Sequence, residues 1–579
     1  MDPTSAKLKM EESPSPSNIF YWSPLPPRKE LGIKKPESLG DDLQGKRAYP
    51  NCDGSIWLRS CEQEIVEPID GEIKGEIPTW LNGSLLRNGP GSTKAGTDEF
   101  QHLFDCSALL HRFGIKMGKV TYQCRFLQSE VYKKICAAKR LVVTEFGTRA
   151  VPDPCQSIFQ RVATVFDFSS DISDNAMISI YPFDDEIYAF NEIPIIHKVN
   201  PTTLETEGQV NVNNYVNIVN HTSHPHVTHD GVYNLGMSVY ASGPYHSIVY
   251  FPKNTSDANK ESMFAKTKLV ASVPARWPLN PCYMHTFGIT PSYYIIVEQP
   301  LCIYLPELIT QKIKKEPMAG CLKWYSDEYT QFSVLSRHTG KLAYTFFADA
   351  FFYLHIINQY EEKDHIVVDI CVYRDPSMIE CMYIESIKTM QYNTNYAKMF
   401  RGRPVRFVLP LKPEAYDEVG SCNLIKLDGT EAKAYYVDRG RKILVKGERL
   451  CDLGCETPRI SYERFLGKRY RYFYAISADV DADNPGSVIK IDTETKECKT
   501  WNEKNCFPGE PIFVSSPDSK AEDDGVILSS MVWGKEDTNH VGLLILDAKT
   551  FKEIGRAEFK TPGPVPKCLH GWFLPNHDR

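Results

Sequence analysis

A chain of 579 residues with 66 Lys+Arg against 73 Asp+Glu, net charge −7, has room for a large buried core and carries no basic block able to track a phosphate backbone, which excludes nucleic acid as a partner. Its seventeen cysteines are scattered without a C-x2-C pair, so a zinc ribbon and a thioredoxin motif are excluded and free thiols in a reducing compartment are expected. The N-terminus has no apolar core of a secretory signal, and no apolar run nears the roughly 20 residues of a membrane span.

Residues 1–45, rich in Pro, Ser, Lys and Glu, have the composition of a disordered tail, and residues 46–579 read as one domain. From Tyr49 onward the texture is all-β. Short runs rich in Val, Ile, Tyr and Phe recur: KLVASV (268–273), YYIIVEQ (293–299), HIVVDICVY (365–373), YRYFYAIS (470–477), SVIKID (487–492) and GVILSSMVW (525–533). Turn clusters such as NPTT, DADNPG and SPDSK separate them. Helical patterning is confined to about 155–167, 304–316 and 379–400, and 411–447 is the expected site of an excursion. Strands grouped over some 500 residues without a domain break point to a β-propeller.

In the segment CQSIFQRVATVFDF (155–168), Ile158, Phe159, Val162, Val165 and Phe166 recur at helical spacing. Such a face packs on a core or dips into one leaflet of a membrane.

Fifteen histidines are present, and His102, His111, His197, His246, His338, His365, His540 and His577 read as surface or hydrogen-bonded residues. NHTSHPHVTHD (220–230) packs His221, His224, His226 and His229 into nine positions. On an extended chain His224 and His226 face the same side, so a self-contained HxH metal strand is open at this point. His285 in CYMHTFGITP, His355 in FFYLHIIN and His570 in KCLHGWF stand instead among apolar neighbours, where both ring nitrogens need partners. Their spacing allows four inner strands to aim imidazoles at one axial point. Glu192 in AFNEIP, Glu456 in CETPRISYE and Glu510 in PGEPIFV also lie beside apolar or Pro-bounded stretches, suited to accept the second N–H of a metal-bound imidazole.

Taken together, GSLLRNGPG (83–91), FDCSALLHRF (104–113), VPDPCQSIF (151–159), HTSHPH (221–226), MHTFGITP (284–291), FYLHIIN (352–358), CETPRISYE (455–463), GEPIFV (509–514), EDDGVILSS (522–530) and LHGWF (569–573) resemble the carotenoid cleavage oxygenases over residues 49–579. YPNCDGSIWLRSCEQEIVEPIDG (49–71), RGRPVRFVLPL (401–411) and TPGPVPKCLHGWF (561–573) are closer still to an insect branch of that family. The resemblance implies a seven-bladed propeller capped by helices and loops around an apolar tunnel. It also implies iron ligands at His224, His285, His355 and His570, with Glu192, Glu456 and Glu510 behind them. Many relatives have Gly where Cys106 stands, a second His at Ile356, and a Thr at Asn191.

Four neutral imidazoles suit Fe(II) and leave two octahedral positions for O2. The resemblance to the insect branch implies cleavage of the central 15,15′ double bond of a carotenoid of the zeaxanthin, lutein or β-carotene class into two aldehydes, one released as the 11-cis isomer. Alternatives are eccentric 9′,10′ cleavage, retinyl ester isomerohydrolysis, and a carotenoid-binding propeller without turnover. A water-insoluble substrate implies a cytoplasmic protein peripherally associated with a membrane surface. Cys155 matches a position near the membrane face in relatives.

Overall fold

The computed structural model describes residues 31–32, 47–151, 173–254, 262–413, 420, 422–439, 442–535 and 537–576. The tail expected over 1–45, apart from Leu31–Gly32, and the segment with Cys155, Ile158, Phe159, Val162, Val165 and Phe166 lie outside them, as does His577.

Each apolar run becomes a strand: Lys268–Pro274, Tyr293–Glu298, His365–Tyr373, Tyr472–Ser477, Ser487–Asp492 and Gly525–Trp533. They assemble into seven antiparallel-based sheets of four to six strands. The chain is a seven-bladed β-propeller. Their apolar faces pack sheet against sheet. One core cluster joins Ile295, Phe332, Phe346, Val367, Val408 and Phe473 from three consecutive sheets, and another joins Leu235, Ile248 and Val273 to Phe287, Tyr294 and Leu335.

Both chain ends are sewn into this ring. Glu72–Gly75 pairs with Glu553–Lys560 on the last sheet, and Gly571–Pro575 pairs with Gly83–Ser92 on the first, so each end of the chain adds the terminal strand to a blade built by the other end. The excursion expected at 411–447 reaches backward: Lys433–Tyr436 and Ile443–Lys446 form a hairpin, and Leu444 pairs in parallel with Phe347 of an earlier blade.

Helices stand at two of the expected places, 304–316 and 379–400; 155–167 lies outside the described residues, and Glu130–Ala138 is a helix the patterning did not indicate. Leu305–Lys314 carries a proline in its first turn, and Ser377–Cys381, Ile384–Thr389 and Tyr396–Met399 follow one another between two strands of one blade. Among the described residues no helix is long and apolar enough to cross a membrane, and the described cysteines are free thiols.

Candidate metal centre

Four blades each deliver one histidine from the innermost strand or the turn leading to it. His224 sits between the two-residue strands Asn220–His221 and His226–Val227, both held on Gly231–Tyr240. His285 precedes Gly288–Ile289. His355 lies in Phe352–Glu362 where the register slips between Tyr353 and Ile356, which turns a side chain of an otherwise regular strand toward the axis. His570 directly precedes Gly571–Pro575 and is fixed by reciprocal backbone bonds, Asn88 N to His570 O and Leu569 N to Asn88 O, both 2.8 Å. At Gly571 a Cβ would collide with the Leu86 carbonyl and the Arg87 side chain, so LHGWF needs its glycine there.

The rings converge. His224 Nε2 and His285 Nε2 are 3.0 Å apart, and one nitrogen from each of His224, His285 and His355 fits within 4.8 Å. The His570 ring centre is 4.5 Å from that of His224 and 5.0 Å from that of His355.

Behind them stand the three glutamates. Glu192 Oε1 meets His285 Nδ1 at 2.6 Å, Glu456 Oε2 meets His355 Nδ1 at 2.5 Å, and Glu510 Oε1 meets His570 Nδ1 at 2.8 Å. A carboxylate only accepts, so each of these Nδ1 atoms carries the proton and each Nε2 presents a lone pair inward. His224 differs, since its Nδ1 faces the Tyr181 hydroxyl at 3.2 Å. His355 Nε2 is buried without a hydrogen-bond partner, a costly state that a metal ion at the convergence point would relieve. The donor set therefore fits a divalent cation of nitrogen-preferring type.

The protonation states agree with that use. Burial, reinforced by His570, His285 and His355, pushes His224 well below the ordinary histidine range, and burial takes His570 down to about 4 against the pull of Glu510. Burial works to raise Glu510, but Arg459, His570 and Arg87 outweigh it and hold the carboxyl far below the usual range. Arg87 Nη1 and Arg459 Nε donate to its two oxygens at 2.8 and 2.9 Å, and Gly571 N adds a bond of 2.9 Å.

The rest of the histidine cluster points elsewhere. His226 pairs with Tyr462 Oη at 3.0 Å and the Phe287 carbonyl at 2.8 Å, His221 pairs with the Thr222 carbonyl, and the His229 side chain is 96% exposed. The HxH alternative thus has its second nitrogen pair already committed. Ile356 is half-buried, the Cys106 thiol is buried and faces the His102 carbonyl, and the Asn191 amide bonds the Asn175 carbonyl and Ile193 N.

Sequence reasoning missed Arg87, Arg459, Tyr181 and Tyr283, whose hydroxyl donates to Glu192 at 2.6 Å. The signal that marked the glutamates, a charge beside an apolar stretch, also marks Arg87 in SLLRNGPG and Arg459 in ETPRIS. Thr457, next to Glu456, holds φ at 47°, an unfavourable region for a β-branched residue, while its N–H bonds the Glu456 carboxylate at 2.9 Å.

Above the histidines lies an apolar cavity of about 360 Å³ whose walls include Trp57, Phe104, Phe146, Met378, Met382 and Phe400, and which reaches His285, His355 and His570. An apolar chamber ending on a set of imidazoles near a propeller axis defines a class: propeller proteins with a histidine-lined axial site open to an apolar chamber. Residues 58–575 match the family described as retinal pigment epithelial membrane protein, and the chain belongs to that family, the carotenoid oxygenases. It is 54% identical to a carotenoid isomerooxygenase of Galleria mellonella, covering 92% of this chain and 98% of that one. It is 39% identical to a β,β-carotene 15,15′-dioxygenase of Gallus gallus, covering 89% and 97%. The crystal structure of cobalt-substituted Synechocystis apocarotenoid oxygenase shares the fold at a TM-score of 0.70 and 23% identity, covering 92% of this chain and all of that one.

Proposed function

We propose that this chain is an iron(II) dioxygenase that cleaves a carotenoid at its central 15,15′ double bond into two retinal-class aldehydes, one of them released as the 11-cis isomer. The observation that carries the reading is the convergence of His224, His285, His355 and His570, the last three of which line an apolar cavity. The kinship with proteins named carotenoid isomerooxygenase and β,β-carotene 15,15′-dioxygenase supplies the substrate class and the bond. Iron held by the four histidines would supply activation of O2, whose two atoms become the two carbonyl oxygens.

The protein's own share is binding, orientation and the exclusion of water. Trp57, Phe104, Phe146 and Phe400 give a rigid polyene flat surfaces to lie against, and burial of such a chain is favourable by about 25 cal/mol per Å². Glu192, Glu456 and Glu510 lock three rings in the tautomer that faces the cavity, and Tyr181 orients the fourth. Arg87 and Arg459 keep Glu510 ionised in a dry setting. The three carboxylates less the two guanidiniums leave one negative charge around the centre, which favours a divalent cation.

The substrate's insolubility implies delivery from a membrane surface, and the described residues offer a place for it. Leu305–Lys314 has no fully buried residue, with Ile309 60% and Ile313 50% exposed, and Met318, also exposed, lines the cavity. An apolar helix face beside a cavity wall suits docking on one leaflet.

The test is to incubate the iron-loaded full chain with β-carotene under 18O2 and identify the products. Two C20 aldehydes carrying label at both oxygens are expected. An apocarotenal of other length establishes eccentric cleavage in its place, and carotenoid retained unchanged establishes a binding protein.

A further inference from the structure

Lys567 is a buried lysine without a carboxylate. The residue is among those lining the cavity, as are Trp57 and Cys568, and is 8% exposed. The Nζ atom donates to the backbone carbonyls of Phe507, at 3.2 Å, and Pro508, and it lies 5.6 Å from the Trp57 ring centre. Among the described residues no Asp or Glu pairs with it, and the charge that acts on it is the Arg87 guanidinium. Burial pushes its ammonium down to about 8, and Arg87 works in the same direction. A desolvated lysine next to another cation is the setting in which an amine becomes a nucleophile toward carbonyl carbon.

The placement relative to the metal centre is fixed by two neighbouring stretches of chain. Phe507 and Pro508 hold Lys567, while Glu510 holds His570, so 507–510 and 567–570 are tied together at both ends. Three residues of extended chain span about 10 Å. A carbonyl group released over the histidines in the same cavity is therefore within a short shift of the Lys567 amine.

We propose that Lys567 forms a reversible imine with a long conjugated aldehyde lodged in the cavity, the class of product that the cleavage proposed above releases, so the identity of the ligand rests on that reading. From the neutral amine, the nitrogen lone pair adds to the aldehyde carbon, the two N–H protons pass in turn to the oxygen, and water leaves as C=N replaces C=O. No electrons are gained or lost, and hydrolysis by the returning water restores both partners. A proton taken up from solvent water gives the protonated imine, whose single N–H can donate to a backbone carbonyl. One product half is thereby retained in the chamber after the other has gone.

The probe is all-trans-retinal added to the iron-loaded full chain at pH about 8 with cyanoborohydride, followed by digestion and mass spectrometry of the lysine peptides. A reduced adduct on Lys567 at roughly tenfold or more the level on any exposed lysine is expected, because an ammonium near 8 supplies far more neutral amine than one near 10.5. Adducts confined to exposed lysines, or none, overturn the proposal. Lys567→Met should remove the dominant adduct; should that variant not fold, a pH series on the unaltered protein decides, since trapping at Lys567 must rise as pH climbs through about 8 and a yield flat across that range overturns it. The same preparation given β-carotene separates the two readings. Trapping of added retinal without cleavage sustains the lysine site and sinks the dioxygenase, whereas cleavage without trapping sinks the lysine site alone.

Discussion

At the scale of single residues, the centre is unequal in its supports. Glu510 serves His570, Gly571, Arg87 and Arg459 at once, while the Tyr181 contact to His224 is a longer single bond of 3.2 Å. Glu510→Gln should lower metal retention and turnover by roughly 10- to 100-fold, the usual loss when an outer partner is removed. It should also destabilise the fold by about 3–5 kcal/mol, since two guanidiniums lose a charged partner in a buried setting. Tyr181→Phe should cost far less in both. Metal analysis with thermal unfolding of the two variants checks the order, and equal losses would remove Glu510 from its special place. His224→Ala should empty the centre, whereas His226→Ala should keep the metal, because both His226 nitrogens are engaged by Tyr462 and Phe287. The histidines and glutamates were legible because a polar side chain in an apolar strand demands a partner. Arg87 and Arg459 carry the same mark, a charge beside an apolar stretch, but not the identity of their shared partner Glu510, which lies 423 and 51 residues away along the chain.

At the scale of elements, the strands followed from β-branched and aromatic runs, but their edges and partners did not. The slip at Tyr353–Ile356 that aims His355 and the parallel pairing of Leu444 with Phe347 are set by neighbours distant in sequence. Helix Leu305–Lys314 was legible as a helix, yet its exposed apolar face was not, since periodicity alone does not tell a buried stripe from a bare one. With Ile309 and Ile313 more than half and half exposed, replacing both with Ser should leave metal content and thermal stability unchanged. Liposome association should fall by roughly tenfold or more, the loss of two inserted side chains. Sedimentation with vesicles of neutral phospholipid measures this, and undiminished binding would take the helix out of the membrane contact.

At the scale of the whole molecule, two properties follow from enclosure and closure. Burial lowers His102 to about 4, His111 to about 3, and His221 and His226 each to about 4, so these rings stay neutral in the folded state where the unfolded chain takes up protons. The unfolded state then binds more protons below about pH 6.5, and stability must fall as pH drops through the window from there to about 4, by up to about 1.4 kcal/mol per pH unit for each ring. Denaturant titrations of metal-free protein across that range should show the loss, and a midpoint that holds steady to pH about 5 would mean the rings are not kept neutral. Closure, by contrast, was only partly legible: a propeller needs a joined ring, and His570 near the C-terminus implied a last inner strand, but the second stitch at Glu72–Gly75 left no mark in the sequence. Truncation tests what the seam is worth. Removing residues 577–579 spares the final described bond, Asn576 N to Asn82 O, and should leave metal content and the unfolding temperature unchanged. Removing residues 568–579 takes away His570, the bonds that tie His570 and Leu569 to Asn88, and the whole pairing of Gly571–Pro575 with Gly83–Ser92. It also strips Trp572 from Tyr181 and Tyr462, and leaves Glu510 with Arg87 and Arg459 but no histidine. The first blade is then left with a bare inner edge facing the axis, which favours unfolding or edge-to-edge association over a cooperative native state. Such a chain should bind no metal and show no cooperative thermal transition; if it retains one equivalent of iron and cleaves carotenoid, neither the fourth histidine nor the seam is needed, and the centre described here would have to be rebuilt on three ligands.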